Sequence, residues 1–319
     1  MDTNTLPQTL LEAVKHFSDP DVCLNFVAEL RWPHGPVCPR CQALEPTFIS
    51  TRRVWKCKGC KKQFSVKVGT IFEDSPLPLE KWLAAIWLIA NAKNGISSYE
   101  IHRGIGVTQK SAWFMLHRIR EAMRTGTFEK LQGTVESDET YIGGKAANMH
   151  ASKRKKLGAL QGGIGKAIVM GLLERNGKIK VKVIPNARRE VLHAEIRTNV
   201  KAGSTVYTDT APAYVGLDAE NYVHETVNHM VEYVRGKVHV NGLENFWSLL
   251  KRMIRGTYIR PTAFHLSRYL DEEAFRFNER RGNDAKRFFR AMCGIVGRRL
   301  TYKKLTGKTD AVDGSVPAV

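Results

Sequence analysis

The stretch TVESDETYI, residues 134–142, decides how the chain is read. Its residues alternate well enough for a β-strand, and it carries the adjacent acids Asp138 and Glu139 just ahead of a glycine pair, Gly143–Gly144. Two further strand-like runs follow, KAIVMGLLER (166–175) and KIKVKVI (178–184), joined by the hairpin signal Asn176–Gly177. Next come ARREVLHAEIRTNV (187–200), apolar at helical intervals, and a short strand-like run, STVYTDT (204–210). The acids stand out because the chain is strongly basic. Its 319 residues carry 50 Lys and Arg against 31 Asp and Glu, a formal net charge of +19.

Three antiparallel strands, a helix and a further strand open a ribonuclease H-like α/β fold. In that topology an acid in the first strand and one at the end of the fourth lie side by side, and Asp138 and Asp209 occupy those places. A third acid comes from HVNGLENFWSLLKR (239–252), where Leu243, Phe246, Trp247, Leu250 and later Ile254 form an apolar stripe that presses a helix against the sheet. Glu244 sits beside that stripe in the first turn, with Lys251 two turns on and Arg252 next to it. Converging carboxylates repel one another unless cations neutralise them, and hard oxygen donors select Mg²⁺ or Mn²⁺. Two such ions can serve the attacking and leaving oxygens of a phosphodiester. Taken singly, the acids have simpler readings. Asn241 and Glu244 have capping-box spacing, Asp209 before Thr-Ala-Pro fits a helix cap, and Asp138 or Glu139 could be turn acids.

Composition bounds the partners. Hydrophobic residues make up 43% and charged residues 25%, ordinary for a globular chain of two or three domains. No apolar run is long enough for a membrane span and the N-terminus lacks a signal-peptide layout, so the expectation is a cytoplasmic protein with no membrane partner. The charge balance calls for a polyanion, with nucleic acid first.

Four of the six cysteines fall in CPRC (Cys38, Cys41) and CKGC (Cys57, Cys60), fifteen residues apart. Paired C-x-x-C knuckles at this spacing predict a closed, structural Zn²⁺ site of four thiolates. Basic residues crowd this ribbon, and Cys23 and Cys293 read as small core residues. After it, LEKWLAAIWLIANAKNG (79–95) reads as a helix, and SSYEIHRGIGVTQKSAWFMLHRIREAM (97–123) as a short helix, a glycine turn and a longer helix capped by Thr108. That is a helix-turn-helix pattern, with Gln109, Lys110, His117 and Arg118 as candidate DNA contacts and an amphipathic helix in a small bundle as the alternative. Between Glu139 and Glu174 no acid occurs, while Lys153, Arg154, Lys155 and Lys156 gather among glycines, fitting a basic loop along a phosphate backbone or a solvated insertion. The expected organisation is an N-terminal helical segment (1–34), zinc ribbon (35–70), helix-turn-helix segment (77–127), catalytic domain (131–290) and C-terminal tail (299–319), disordered at its end.

At these residues the sequence resembles the DDE transposases of bacterial insertion sequences, in the branch with an N-terminal zinc ribbon and a ribonuclease H-like catalytic domain. The matching stretches include RWPHGPVCPRC, WKCKGCKKQFSVKVGTIFEDSPLPLEKW, ESDETYIGGK, VYTDTAPAY, VNGLENFWSLLKRMIRGTY and YLDEEAFRFNERR, in order from Arg31 to Arg281. The resemblance implies Asp138, Asp209 and Glu244 as the catalytic triad with two Mg²⁺ or Mn²⁺ ions, and Lys251 as the trailing basic residue. Some related groups place Asn at the third position, which keeps Asn241 as an alternative. It further implies binding of double-stranded DNA at terminal inverted repeats and target, strand cleavage and transfer, and a homodimer or larger assembly on DNA. A catalytically inactive, transposase-derived DNA-binding protein is the other reading.

Overall fold

In the computed structural model, residues 5–124, 129–144, 150–152, 165–227, 238–259 and 261–308 are described. The basic cluster Lys153–Lys156 and the end of the tail, 309–319, lie outside them. The chain divides into two compact units: residues 1–92, 96–123 and 282–319 form the first, and 93–95 with 124–281 the second.

The first unit opens with helices α1 (Leu10–His16) and α2 (Pro20–Arg31), capped by Thr9 and Asp19 side chains. A small antiparallel sheet follows, of strands β1 (Thr47–Ile49), β2 (Val54–Lys56) and β3 (Gln63–Phe64). Helix α3 (Leu79–Asn91) buries Trp82, Leu83, Ile86, Trp87 and Ile89. Apolar all round rather than along one stripe, it becomes the centre of the unit. Helix α4 (Ser98–Ile105) starts with a capping box between Ser97 and Glu100 and ends at Gly106, whose φ of 62° suits a residue without Cβ. Helix α5 (Gln109–Met123) is capped by Thr108, whose hydroxyl accepts from the Ser111 N–H at 3.1 Å.

The second unit is built on a five-stranded sheet. Its strands are β4 (Thr134–Ile142), β5 (Ala167–Glu174), β6 (Ile179–Ile184), β7 (Thr205–Asp209) and β8 (Val223–Val227), in the order β6-β5-β4-β7-β8. β4, β5 and β6 pair antiparallel, whereas β7 joins β4, and β8 joins β7, in parallel. This is the ribonuclease H-like arrangement. The parallel pairing requires a crossover, supplied between β6 and β7 by helix α6 (Arg189–Asn199). β8 has no forecast in the sequence reading, because YVHETV is short and half polar. Period-two alternation sorts the core: Met170 and Leu172 pack with Leu192, Ile196 and Val206 on the α6 face. On the other face Val169 and Leu173 meet Leu243, Phe246, Trp247 and Leu250 of helix α7 (Asn241–Met253). Helix α8 (Ala263–Asn278) closes this face with Leu266, Leu270 and Phe277.

From Gly282 the chain belongs to the first unit again. Helix α9 (Asp284–Cys293) brings Phe288 within 5.2–5.9 Å of the Phe17, Phe26 and Trp87 rings. The expected limit of the catalytic domain at 290 therefore falls inside a helix of the first unit. A short helix, α10 (Tyr302–Leu305), follows within the segment expected as tail. No described helix is long and apolar enough to cross a membrane.

Gly171 is the packing pivot of the second unit. It pairs in register with Asp138, and a Cβ there would stand 2.7 Å from Trp247 and 2.8 Å from Leu243. Gly171→Ala is therefore expected to lose about 1–3 kcal/mol of stability through overpacking, read as a lowered urea midpoint, and an unchanged midpoint would refute this packing account.

Candidate active site and metal centre

The cysteines come together as the sequence predicts. Two tight turns carry them: the Cys38 N–H donates to Ala43 O and the Cys57 N–H to Lys62 O, each at 3.0 Å, and the Cys60 N–H donates to Cys57 Sγ at 3.4 Å. All four sulfurs lie within 4.8 Å of one another, with Cys38–Cys60 at 3.8 Å and Cys41–Cys57 at 3.4 Å. Four thiolates on a tetrahedral Zn²⁺ at about 2.3 Å have sulfurs about 3.8 Å apart. The quartet can hold a structural zinc. Cys57→Ser is expected to cut bound zinc from about one per chain to none at neutral pH, checked by metal analysis; full zinc content would contradict a four-sulfur site.

Two candidate DNA contacts are corrected. His117 and Arg118 lie inside the first unit, at 0% and 4% exposure. Arg118 donates to the carbonyls of Ile71, Glu73 and Leu300 and stacks on Phe114. The C-terminal half of α5 is buried all round, so its polar residues satisfy the core instead of facing a ligand. Gln109 and Lys110, at the α5 N-terminus, are placed differently: Gln109 bonds the Ser98 hydroxyl and Lys110 is exposed above the Tyr302 ring.

In the second unit a cleft of about 590 Å³ is lined by Asp138, Glu139, Glu244, Trp247, Lys251, Arg252 and Arg255 among others. Asp138 reaches it from the centre of the sheet and accepts from the Trp247 indole N–H at 2.9 Å. β4 and β7 are in register up to Glu136 and Tyr207. Two residues further along, Asp138 and Asp209 are level and, by the period of two, on the same sheet face. Asp209 ends β7, and its carboxylate accepts from the Ala211 N–H at 3.0 Å. The third acid, Glu244, is exposed in the first turn of α7.

The simpler reading of Glu244 fails on geometry. The N-cap of α7 is Val240, which puts Asn241 inside the helix rather than at its cap, out of capping-box phase with Glu244. The cap comes from the sheet: the Glu136 carboxylate accepts from the Leu243 N–H at 3.0 Å. Asn241 is exposed and is not among the residues lining the cleft.

Burial pushes the Asp138 carboxyl up to about 6, opposed by the Trp247 hydrogen bond and reinforced by the charges of Asp209 and Glu244. Glu139 is driven up to about 7, first by burial and then by Asp138 and Asp209, against the hydrogen bond it accepts from Tyr214. Among the described residues, the cysteine quartet is the one metal-capable group gathered within 4.8 Å. The cleft acids share one another's field without closing to that distance. A buried carboxyl raised by like charges is nevertheless what a hard divalent cation relieves, so the donor set fits Mg²⁺ or Mn²⁺. Sequence reasoning missed Glu136 and Tyr214; its one clue was the density of acids in TVESDETYI. His224 meets the Thr208 hydroxyl at 2.9 Å and His239 stands 3.6 Å from Glu136.

A sheet of this order with an acid-and-base cleft, in a chain carrying a four-cysteine ribbon, defines the class: a ribonuclease H-like protein of the transposase type. Residues 130–278 match the family model of the ISXO2-like transposase domain, and residues 18–63 that of the transposase zinc-ribbon domain. The chain is 30% identical over 256 residues to an uncharacterized protein in transposable element ISH50 of Halobacterium salinarum, covering 76% of this chain and 85% of that protein. It is also 36% identical over 101 residues to an uncharacterized transposase-like protein of Haemophilus influenzae, covering 32% of this chain and 81% of the other. The chain belongs to the ISXO2-like transposase family of insertion elements.

Asp138 and Glu139 also set a pH dependence. Their folded values lie above those of the unfolded chain, so between about pH 4 and 7 the folded protein holds more protons and loses stability as pH rises. Without divalent cations, wild type is expected to fall behind Asp138→Asn in melting temperature between about pH 5 and about pH 8, and added Mg²⁺ to close the gap. A gap that does not grow with pH would contradict the burial cost.

Proposed function

We propose that the protein binds the double-stranded terminal inverted repeats of its own element and catalyses metal-dependent strand cleavage and strand transfer. The observation that carries this reading is the cleft itself. Asp138 and Glu244 line it, with Asp209's charge bearing on Asp138, and Lys251, Arg252 and Arg255 line it too, in a chain of a transposase family.

Each residue has a role in this reading. Asp138, Asp209 and Glu244 hold two Mg²⁺ or Mn²⁺ ions, with Asp138 fixed by the Trp247 indole. When bound, the two ions lower the barrier for both the entering and the departing oxygen of an in-line displacement. Lys251, Arg252 and Arg255 neutralise the phosphates that must approach an acidic site, with Lys251 nearest the reacting phosphate. Cleavage by water and joining by a freed 3′-OH are the same displacement with different nucleophiles, so one cleft serves both. The ribbon and the N-terminal end of α5, with Lys110 and Gln109, recognise the DNA ends; Lys153, Arg154, Lys155 and Lys156 are assigned to the phosphate backbone on their charge alone. Cutting two ends together calls for at least two copies of the chain.

The test uses purified protein with Mg²⁺ and DNA spanning the gene's flanks, with nicked and joined products scored for wild type, Asp209→Asn and Glu244→Gln. Wild type is expected to give both products, and each variant to lose at least about a hundredfold in rate, in the range for removing a group that acts on the transition state, while still retaining DNA in a gel-shift. Nicks without joining point to a nuclease. DNA binding with neither product points to an inactive, transposase-derived DNA-binding protein.

A further inference from the structure

Helix α7 holds the third acid, yet no backbone ladder ties a helix to a sheet. Its orientation has to come from side chains. The helix start lacks a local cap, since Val240 at the N-cap position offers no side-chain bond. Glu136 takes that place from β4, two residues before Asp138. Its carboxylate is 2% exposed, and Oε2 accepts from the Leu243 N–H at 3.0 Å. The other oxygen accepts from Arg175 Nε at 3.2 Å and faces His239 at 3.6 Å. Arg175 in turn donates to the His239 carbonyl at 3.0 Å and stacks on the Tyr207 ring at 4.6 Å. An ion pair between the buried Glu136 and the half-buried Arg175 thus joins β4, the β5–β6 hairpin end, β7 and the lead-in to α7.

The packing around this carboxylate is close. Gly242 is the second residue of α7, and a Cβ there would lie 2.5 Å from Leu173 and 2.7 Å from Glu136 Oε2. The helix start can approach the carboxylate only because position 242 has no side chain. Glu136 shares the strand face of Asp138 by the period of two, so one strand both presents one acid of the cleft and grips the helix that presents another. A negative charge at a helix N-terminus is favourable both through the free N–H groups and through the helix dipole.

We propose that Glu136 is a positioning residue for metal binding: by capping α7 from the neighbouring strand it fixes the start of the helix that carries Glu244 into the cleft beside Asp138. The proposal rests on the reading of Glu244 as a metal ligand. Glu136 itself does not face the cleft and touches neither metal nor DNA. Outer groups that orient metal ligands change metal affinity by about 10- to 100-fold when altered.

The experiment measures Mn²⁺ binding by calorimetry on the full-length protein without DNA, for wild type, Glu136→Gln, Glu244→Gln and the double variant, with melting temperature recorded for each. The expected result is affinity about tenfold weaker in Glu136→Gln, with the double variant no weaker than Glu244→Gln alone, because the first residue acts through the second. Glu136→Gln at wild-type affinity, with Glu244→Gln weakened, overturns the positioning role and leaves the active site standing. A double variant weaker than Glu244→Gln alone also overturns it. Glu244→Gln at wild-type affinity overturns both readings. Should Glu136→Gln fail to fold, Gly242→Ala gives the same answer, since alanine favours helix formation while its Cβ displaces the capping carboxylate. Weaker Mn²⁺ binding in Gly242→Ala supports the proposal, and wild-type binding overturns it.

Discussion

Everything in the second unit is referred to strand β4. It lies at the middle of the sheet, paired antiparallel with β5 and parallel with β7. Because its side chains alternate, TVESDETYI serves two faces at once. Glu136 and Asp138 face α7, while Ser137 and Glu139 meet Tyr214 on the α6 face. Tyr214 is fully buried and lies five residues beyond Asp209, on the turn Pro212–Tyr214 that follows β7. A central strand is the least mobile reference that a sheet offers, and side chains on it tie down both the turn after Asp209 and the start of the helix that carries Glu244.

This arrangement concentrates negative charge where the chain can least solvate it. Glu136 is neutralised within the protein by Arg175. Asp138 and Glu139 are met instead by an indole N–H and a phenol, neutral donors that hold a carboxylate without cancelling its charge. Burial drives the upward shifts of both acids, and these neutral hydrogen bonds oppose it only in part. Lys251, Arg252 and Arg255 stand on the last turn of α7 and the π-helical turn Ile254–Tyr258 beyond it. The acids are grouped near the helix start and the cations toward its end, in agreement with the helix dipole.

Most of the sheet was legible because its elements are written locally. Alternation marks β4, β5 and β6, Asn176–Gly177 marks the hairpin, and the periodic apolar residues of 187–200 and 243–254 mark α6 and the sheet-facing stripe of α7. The cysteine site was legible for the same reason, since two C-x-x-C turns carry their geometry in four residues each. What could not be read are contacts between distant positions. Arg118 looks like a surface cation until Ile71, Glu73 and Leu300 supply carbonyls from two separate segments. Nothing near Phe288 says that it will pack against rings some 200 to 270 positions earlier in the chain. Glu136 resembles any strand acid until Val240 proves unable to cap α7. Glycine carries the least local information: Gly171 and Gly242 matter for the side chains they make room for, and those belong to other elements.

The attachment of α7 has a thermodynamic consequence. At its start the helix is held by Glu136, and the π-helical turn at its end is held by the Tyr258 hydroxyl, which donates to Glu272 of α8 at 2.7 Å. Glu272 is itself buried and paired with the buried Arg276. Between the anchors the apolar stripe permits some rotation, because hydrophobic contact is not directional, whereas the two hydrogen-bonded ends do not. On the metal-binding reading, seating the helix and gathering the acids are the same event. Whatever stabilises the seated helix must raise metal affinity by the same factor as metal stabilises the seat, since coupling between two equilibria is reciprocal. In an empty cleft the acids repel, and the two anchors work against that repulsion. A strong anchor at each end is therefore required by the chemistry of the cleft as well as by the fold.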